Sequence, residues 1–524
     1  MSTYSLIKNL LFRELYDHPA PNLSFIETHV SWVILTGKYA YKIKKPVNFE
    51  FLDFSTLEKR KYYCEEELRL GQQFASEIYL AIVPITGTIA QPQINGTGPI
   101  LEYAIKMCEF PQENLLSTLL KQGHLTENII DQLGELIADF HKKTPVAAQN
   151  SRFGLPSEIH APAIQNFEQI VPLLSNPTDI NQLERLEIWT NRQFQQHHTL
   201  LKERKKQGFI RDCHGDLHLA NIILYNNKPL LFDRLEFNED LRWTDVIADL
   251  AFLMMDLTEK KKIGFANQLV NTYLHSTGDY QGLALLPYYL VYRAIVRAKI
   301  ALFRLEQPGL SDKEHKKIQK EYYNFIKLAE LYTLPSKPCL IITHGFSGSG
   351  KTTTAKNSVN YCGAIQISSD IIRKQLFHIP LHTSSNSGLN SGIYTTQATK
   401  ETYKKLETLA EVIIKANFTV IVDAAFLKHS QRDSFYKLAN RLKVPFYILH
   451  CKENDSEIQQ RIKKRLNSVS VSEADLTILT QQKKNNDPLT NLEKKLTFII
   501  TSKQTSLKNA LEKIFPCIPL GMLS

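Results

Sequence analysis

The stretch Leu340-Ile341-Ile342-Thr343-His344-Gly345-Phe346-Ser347-Gly348-Ser349-Gly350-Lys351-Thr352 decides the fold of the C-terminal third of the chain. An apolar, strand-like run (340–343) enters the pattern Gly-x-x-x-x-Gly-Lys-Thr, and helix-forming residues follow. Three glycines let the main chain wrap closely around an anion, so that backbone N–H groups and a helix N-terminus face negative charge. Lys351 is placed to reach the β- and γ-phosphates of a nucleotide and Thr352 to put its hydroxyl on Mg²⁺. Together with Thr353, these residues form a candidate ATP-phosphate site.

Around this loop, strand-like runs (340–343, 418–423, 445–450) alternate with helical ones (351–359, 399–415, 430–442). That alternation predicts an α/β domain with a parallel sheet and helices on both faces. Val420-Ile421-Val422-Asp423 ends in the acid expected beside a phosphate loop, so Asp423 is read as orienting metal-bound water near Thr352, with a turn-capping role as the alternative. A further strand-like run (364–368) ends in Ser369-Asp370, with Arg373 a helical turn later. Asp370 is read either as the acceptor of a proton from the attacking hydroxyl or as a helix N-cap, and Arg373 as a holder of the acceptor substrate. Arg461 and Arg465, four apart on a helix, share a face that can close over the phosphates, although Lys463 and Lys464 make it an ordinary basic helix as well. The polar stretch 383–391 is read as a loop that serves as a lid or as an insertion.

From residue 337 onward the chain resembles the small P-loop kinases of the gluconate kinase, chloramphenicol phosphotransferase and polynucleotide kinase type. The domain is short and shows no second-region motif of motors, GTPases or AAA+ machines, which sets those readings aside.

A second constellation lies upstream, where Cys213-His214-Gly215-Asp216-Leu217-His218-Leu219-Ala220-Asn221 precedes an apolar run (222–224) and Leu230-Leu231-Phe232-Asp233. The spacing resembles the aminoglycoside phosphotransferase branch of the protein-kinase-like fold, whose loop reads His-Gly-Asp-x-x-x-x-Asn. The resemblance implies that Asp216 is the catalytic base, that Asn221 and Asp233 are Mg²⁺ ligands, and that His214 and His218 support the loop. It also implies a lysine on the third strand paired with a glutamate on the first helix. Tyr39-Ala40-Tyr41-Lys42 supplies Lys42, with Lys44 on the same strand face as a rival. Glu65, Glu66 and Glu67 offer the partner, and Glu66 is preferred for its four-residue step to Leu70. Residues 101–107 read as the strand entering a hinge, where backbone near Met107 meets adenine. The departure is at the turn within 27–37, which lacks Gly-x-Gly-x-x-Gly and carries Thr28, His29 and Ser31 instead.

Both halves together resemble a bacterial family of bifunctional proteins joining an aminoglycoside-phosphotransferase-like domain to a P-loop kinase-like ATP-binding domain. The expectation is an α+β bilobal domain over 1–335, with a small lobe to about 108 and a helical lobe from about 109, followed by an α/β P-loop domain over 336–524. Leu334-Pro335-Ser336-Lys337-Pro338 marks the boundary, because two prolines stop a helix and restart the chain in extended form. The implied cofactors are ATP and Mg²⁺, and the implied partner is a small molecule with a hydroxyl acceptor. An aminoglycoside acceptor, or one active kinase joined to a nucleotide-gated module, remain open readings. Arg293 and Arg297, one turn apart, are read as ligands of an anionic acceptor or as surface ion-pair formers.

Composition bounds these readings. At roughly 150 residues per domain, a chain of 524 residues holds about three to four compact units. Its 43% apolar and 22% charged content is that of a folded chain rather than a disordered one. Lys plus Arg exceed Asp plus Glu by 63 to 53, but the basic runs carry no aromatic-basic stripe, which sets nucleic acid aside as a partner. Seven scattered cysteines without a Cys-x-x-Cys pair fit a reducing, cytoplasmic setting, and Arg293, Arg297 and Lys299 interrupt the most apolar stretch, which removes a membrane span. Oligomeric state is not legible.

Overall fold

The computed structural model describes residues 3–49, 52–306, 309–381, 383, 392–466, 476–502 and 504–515. The chain forms two compact units, Met1–Gln165 with His198–Asp256, and Asn166–His197 with Leu257–Ser524.

The first unit holds a six-stranded antiparallel sheet of β1 (Ser24–Glu27), β2 (Ser31–Leu35), β3 (Tyr39–Lys44), β4 (Tyr79–Gly87), β5 (Pro92–Ile94) and β6 (Ile100–Cys108) in the order β1-β2-β3-β6-β4-β5. Strand side chains alternate between two faces, so each face gathers its own core. Trp32, Ile34, Tyr41 and Ile43 pack with Leu6, Ile7 and Leu10 on one side, while Ala40, Ile105 and Met107 meet Cys64 and Ile223 on the other. The second set includes residues of α1 (Leu57–Gln72), whose N-terminus is capped by the Thr56 hydroxyl accepting from Lys59 N–H. Next, α2 (Glu127–Lys143) buries Ile130, Leu133, Ile137, Phe140 and His141 along one stripe. The loop after β7 (Ile210–Asp212) leads into the hairpin of β8 (Ile222–Tyr225) and β9 (Lys228–Leu231), and β10 (Trp243–Asp245) pairs back on β7 ahead of α3 (Val246–Glu259).

One buried ion pair ties this loop region together. Arg204 Nε and Nη2 donate to the two oxygens of Asp245 at 2.6 and 2.8 Å, and Asp245 Oδ1 also accepts from Ile247 N–H at 2.9 Å. Both side chains are 0% exposed, so removing one partner leaves a charge in a medium that cannot solvate it. Asp245→Ala is expected to cost about 3–5 kcal/mol, read as a lower urea midpoint; an unchanged midpoint would exclude a structural role for the pair.

In the second unit, the helices α4 (Ile263–Thr277), α5 (Leu286–Leu305) and α6 (Asp312–Thr333) precede the parallel sheet of β11 (Leu340–His344), β12 (Ile365–Ser368), β13 (Val420–Asp423), β14 (Phe446–Cys451) and β15 (Thr497–Ile500). Its order is β12-β13-β11-β14-β15, and every neighbouring pair is parallel. Strands covered on both faces read as unbroken apolar runs, which explains Leu340-Ile341-Ile342 and Val420-Ile421-Val422. Crossover helices include α7 (Lys351–Cys362), α8 (Ser369–Leu376), α9 (Thr396–Lys415) and α10 (His429–Leu442); α11 (Asp455–Leu466) follows β14. The compact units do not follow the punctuation at Pro335 and Pro338, because α4 bonds the sheet through its side chains and so groups with it: Asn271 Nδ2 donates to Ala364 O at 3.1 Å. Of the polar stretch 383–391, all but Thr383 lies outside the described residues.

Candidate functional sites

In the first unit, β3 and α1 bring a chain of alternating charges together. Lys42 Nζ donates to Glu67 Oε1 at 2.7 Å and to Asp233 Oδ1 at 2.5 Å. Lys44 Nζ donates to Glu67 Oε2 at 2.7 Å and also pairs with Glu236. The structure therefore corrects the choice of Glu66, which instead pairs with Arg69 at 2.7 Å. The reason is helical phase: Arg60, Cys64, Glu67 and Gly71 form the buried stripe of α1, and one residue of offset rotates a side chain by about 100°. Both lysines engage Glu67, with Lys42 reaching Asp233 and Lys44 fully buried.

Burial opposes charge here, but the carboxylates prevail. Burial pulls the Lys42 ammonium down, yet Asp233 and Glu67 hold its pKa well above the ordinary lysine value. Glu67 is pushed up by burial and pulled further the other way by Lys42 and Lys44, ending at about 2 against an ordinary 4.5. A carboxyl whose folded pKa lies below its unfolded one contributes stability above pH 4.5 and loses it as pH falls towards 2. Glu67→Gln is expected to be less stable at pH 7 and to show a flatter pH dependence across that window. Urea midpoints of both proteins test this, and parallel profiles would exclude it.

The loop after β7 is fixed from beneath. Asp249 accepts from His214 N–H at 3.0 Å, Gly215 N–H at 2.9 Å and His141 Nε2 at 3.1 Å. Arg234 Nη2 donates to the carbonyls of Asp212 and Cys213 at 2.8 and 3.0 Å, and His214 Nε2 donates to Phe232 O at 2.9 Å, with burial lowering its pKa. His141, Cys213 and Asp249 place donor atoms within 4.8 Å of one another, as a metal site would. The carboxylate of Asp249 is already committed to the loop's backbone, so we read the trio as the loop's anchor.

On this frame Asp216 is 38% exposed, open to an acceptor. Its Oδ2 accepts from Asn221 Nδ2 at 3.1 Å and lies 3.3 Å from His218 Nε2. Asn221 Nδ2 also reaches Asp216 O at 3.0 Å, and Asn221 O accepts from Phe232 N–H at 3.1 Å, which joins the loop to Asp233. Asp233 adopts the left-handed φ of 60° and donates its N–H to Tyr79 Oη at 3.1 Å. Met107 lies buried at the end of β6, paired with Ala40 and Tyr79. The turn between β1 and β2 is closed without glycine, by Ser31 N–H donating to Thr28 Oγ1 at 2.9 Å.

The second unit builds the other site at the C-terminal ends of β11 and β13. Gly345 has φ 146°, and a Cβ there would sit 2.7 Å from both Cys451 O and Ser349 Oγ. Gly350 caps α7 with φ 92°. Lys351 Nζ donates to Phe346 O at 2.8 Å, while Gln482 brackets Ser347 by accepting from its N–H at 2.8 Å and donating to its Oγ at 3.0 Å. Ser349 Oγ is buried with no hydrogen-bond partner, an orphaned polar atom in the loop that an incoming phosphate oxygen can satisfy.

Asp423 accepts from the Thr352 hydroxyl and from Gln366 Nε2, the latter at 3.1 Å. Burial raises its pKa, with Lys351, Thr352 and Gln366 pulling the other way. Strand pairing sets Ser368 opposite Asp423, which delivers Asp370 to the same end of the sheet. Asp370 and Arg373 form an ion pair at 3.3 Å, and the Arg373 guanidinium lies 4.9 Å from the Tyr394 ring centroid. Arg461 pairs with Glu453 at 3.0 Å, and its Nη1 is 3.6 Å from where a Cβ on Gly350 would sit. The side chain of Arg465 lies outside the described residues. Both sites offer the oxygen donors that a hard cation takes: Asn221 and Asp233 in one, Thr352 and Asp423 in the other.

The anchors Asp249, Arg234, Glu236, Gln366 and Gln482 are absent from the sequence reading. Each acts on a motif distant in the chain, and for Glu67 the phase of α1 becomes a signal only once its buried face is known.

Residues 64–286 match the phosphotransferase enzyme family, and residues 340–489 match a family described as an AAA domain. An uncharacterized protein of Mycobacterium tuberculosis (strain ATCC 25618 / H37Rv) is 27% identical over 465 residues, covering 88% of this chain and 90% of its own. Among solved structures, an amicoumacin kinase shares 13% identity over 62% of this chain and 93% of its own, with a TM-score of 0.38. The APS kinase of Mycobacterium tuberculosis shares 17% identity over 34% of this chain and 97% of its own, with a TM-score of 0.25.

Proposed function

For a chain that carries a phosphotransferase-family domain over 64–286 and a kinase-like P-loop domain over 340–489, we propose two-site ATP-dependent phosphoryl transfer to hydroxyls of small molecules. The observation that carries this reading is that each site sets a lysine near an acid suited to a metal: Lys42 donates to Asp233 at 2.5 Å, and Lys351, bonded to Phe346 O, exerts its charge on the buried Asp423.

At the first site Asp216 takes the proton of the acceptor hydroxyl, and Asn221 and His218 hold its carboxylate in place. Lys42 meets the nucleotide phosphates and keeps Glu67 as its partner when those phosphates compete for it with Asp233. Backbone near Met107 meets adenine. At the second site the glycine loop and Thr353 cradle phosphates, Lys351 and Arg461 face the transferring charge, Asp370 takes the acceptor's proton and Arg373 orients the acceptor. Arg465 is assigned to the same phosphates from its place on α11. Mg²⁺, when bound, neutralises phosphate charge; Asn221 and Asp233 hold it at the first site, Thr352 and Asp423 at the second.

We keep the division near residue 336 as the boundary between the two sequence-defined domains. The setting we assign is cytoplasmic, supported by six free cysteines among the described residues. No helix among the described residues is long and apolar enough to cross a membrane.

The test is a metabolite extract incubated with γ-labelled ATP and the parent, Asp216→Ala, Lys351→Ala or doubly substituted protein. Each single variant is expected to lose its own set of products, and the double variant all of them. If one single variant loses every product while the other loses none and only changes ATP affinity, the two-enzyme reading is wrong.

A further inference from the structure

The helix α4 falls inside the segment matched by the phosphotransferase family, yet it packs in the second unit against the parallel sheet. Its target is β12, the edge strand, which pairs with β13 on one side. An edge strand presents backbone donors and acceptors that need partners. Here side chains supply them. Asn271 Nδ2 donates to Ala364 O at 3.1 Å, Asn271 Oδ1 accepts from Gln366 N–H at 2.7 Å, and His275 Nε2 donates to Gln366 O at 2.9 Å. Asn271 and His275 are four residues apart, on one helical face, and occupy three consecutive backbone groups as a neighbouring strand would. The His275 carbonyl in turn accepts from Gln375 Nε2 at 2.8 Å, which ties α8, bearer of Asp370 and Arg373, to the same helix.

The residue so gripped is the one that touches the metal-type acid. Gln366 is 6% exposed, and its Nε2 donates to Asp423 Oδ2 at 3.1 Å. With its backbone held on both sides, the amide has a fixed origin, and the Asp423 carboxylate is held between it and the Thr352 hydroxyl. We propose that Gln366 is a positioning residue for Asp423, and that Asn271 and His275 of α4 hold Gln366 in place for that task. A segment covered by the first family's match thereby supplies part of the second site. This rests on the reading of Asp423 as the second site's metal acid.

The experiment uses the full chain carrying Asp233→Ala, which removes the first site's metal acid. Mg²⁺ is titrated by calorimetry into protein saturated with a non-hydrolysable ATP analogue, and ATP turnover is followed in parallel. Gln366→Leu is expected to raise the Mg²⁺ half-saturation about 10-fold, with little change in the KM for ATP at saturating Mg²⁺. Asn271→Leu and His275→Leu each shift it in the same direction by less. Thermal unfolding of each variant identifies any that fail to fold, and the Asn271 and His275 variants carry the test should Gln366→Leu do so. Parent-like Mg²⁺ dependence in folded Gln366→Leu and Asn271→Leu overturns the proposal. Asp423→Ala controls the underlying reading: if the Mg²⁺-dependent signal survives it, the assignment of Asp423 as the metal acid falls, whatever Gln366 does.

Discussion

Asp216→Ala is expected to lower phosphoryl transfer at the first site by about 10²–10⁴-fold while leaving MgATP binding near that of the parent. The carboxylate is exposed enough to meet an acceptor, and the residues around it hold it rather than replace it. Asn221 loses its bond to Asp216 Oδ2 but keeps the backbone carbonyl at 3.0 Å, so the loop retains its shape. The anchors also survive, because Asp249 grips the N–H groups of His214 and Gly215 rather than the Asp216 side chain. The defect should therefore appear in turnover and not in nucleotide affinity. Labelled-ATP assays with an acceptor from the extract screen, beside fluorescence titration of an ATP analogue, separate the two. Turnover within a few-fold of the parent would remove Asp216 from the chemistry.

Lys351→Ala is expected to lower turnover at the second site by about 10²–10³-fold. Its ammonium is held over the glycine loop by Phe346 O and faces the same space as Asp423 and the start of α7. Lysine concentrates positive charge at one point on a flexible stem, whereas arginine spreads it over a planar fork. Lys351→Arg should accordingly recover only part of the loss. First-site products, dependent on Asp216, should persist in both variants. If second-site products also persist at the parent rate, Lys351 takes no part in the transfer.

What was legible from the chain was local. Residues 345–352 are contiguous, so the glycine turn and the helix start that follows it are written within a few peptide units, and the helix begins at Lys351 behind Gly350. Asp216, Asn221 and Asp233 lie within one hairpin-sized stretch, and the structure brings them together with Lys42. Asp423 was identifiable because an acid closing an apolar strand beside the loop-bearing strand arrives next to Thr352 by parallel pairing. Glu66 failed for the same local reason in reverse: three successive glutamates look alike in sequence, and only the direction of α1 against the sheet separates the one that turns inward.

The remaining differences are tertiary. Asp249 reaches back over thirty residues to the loop, Gln482 reaches over a hundred to Ser347, and Asn271 meets Gln366 across nearly as many. No periodicity encodes such contacts, because each depends on how whole elements lie against one another. The same applies to the grouping of α4: two prolines near residue 336 end a helix, but they do not say which unit the preceding helices join. By itself, then, the sequence determined the glycine loop at 345–352, the His-Gly-Asp motif at 214–216 and the element types that carry them, since these follow from local backbone freedom and side-chain period. The tertiary structure decided which glutamate meets Lys42, which carboxylate holds the loop after β7 and which helix closes the edge of the parallel sheet, since burial and hydrogen-bond satisfaction are settled only when distant segments pack.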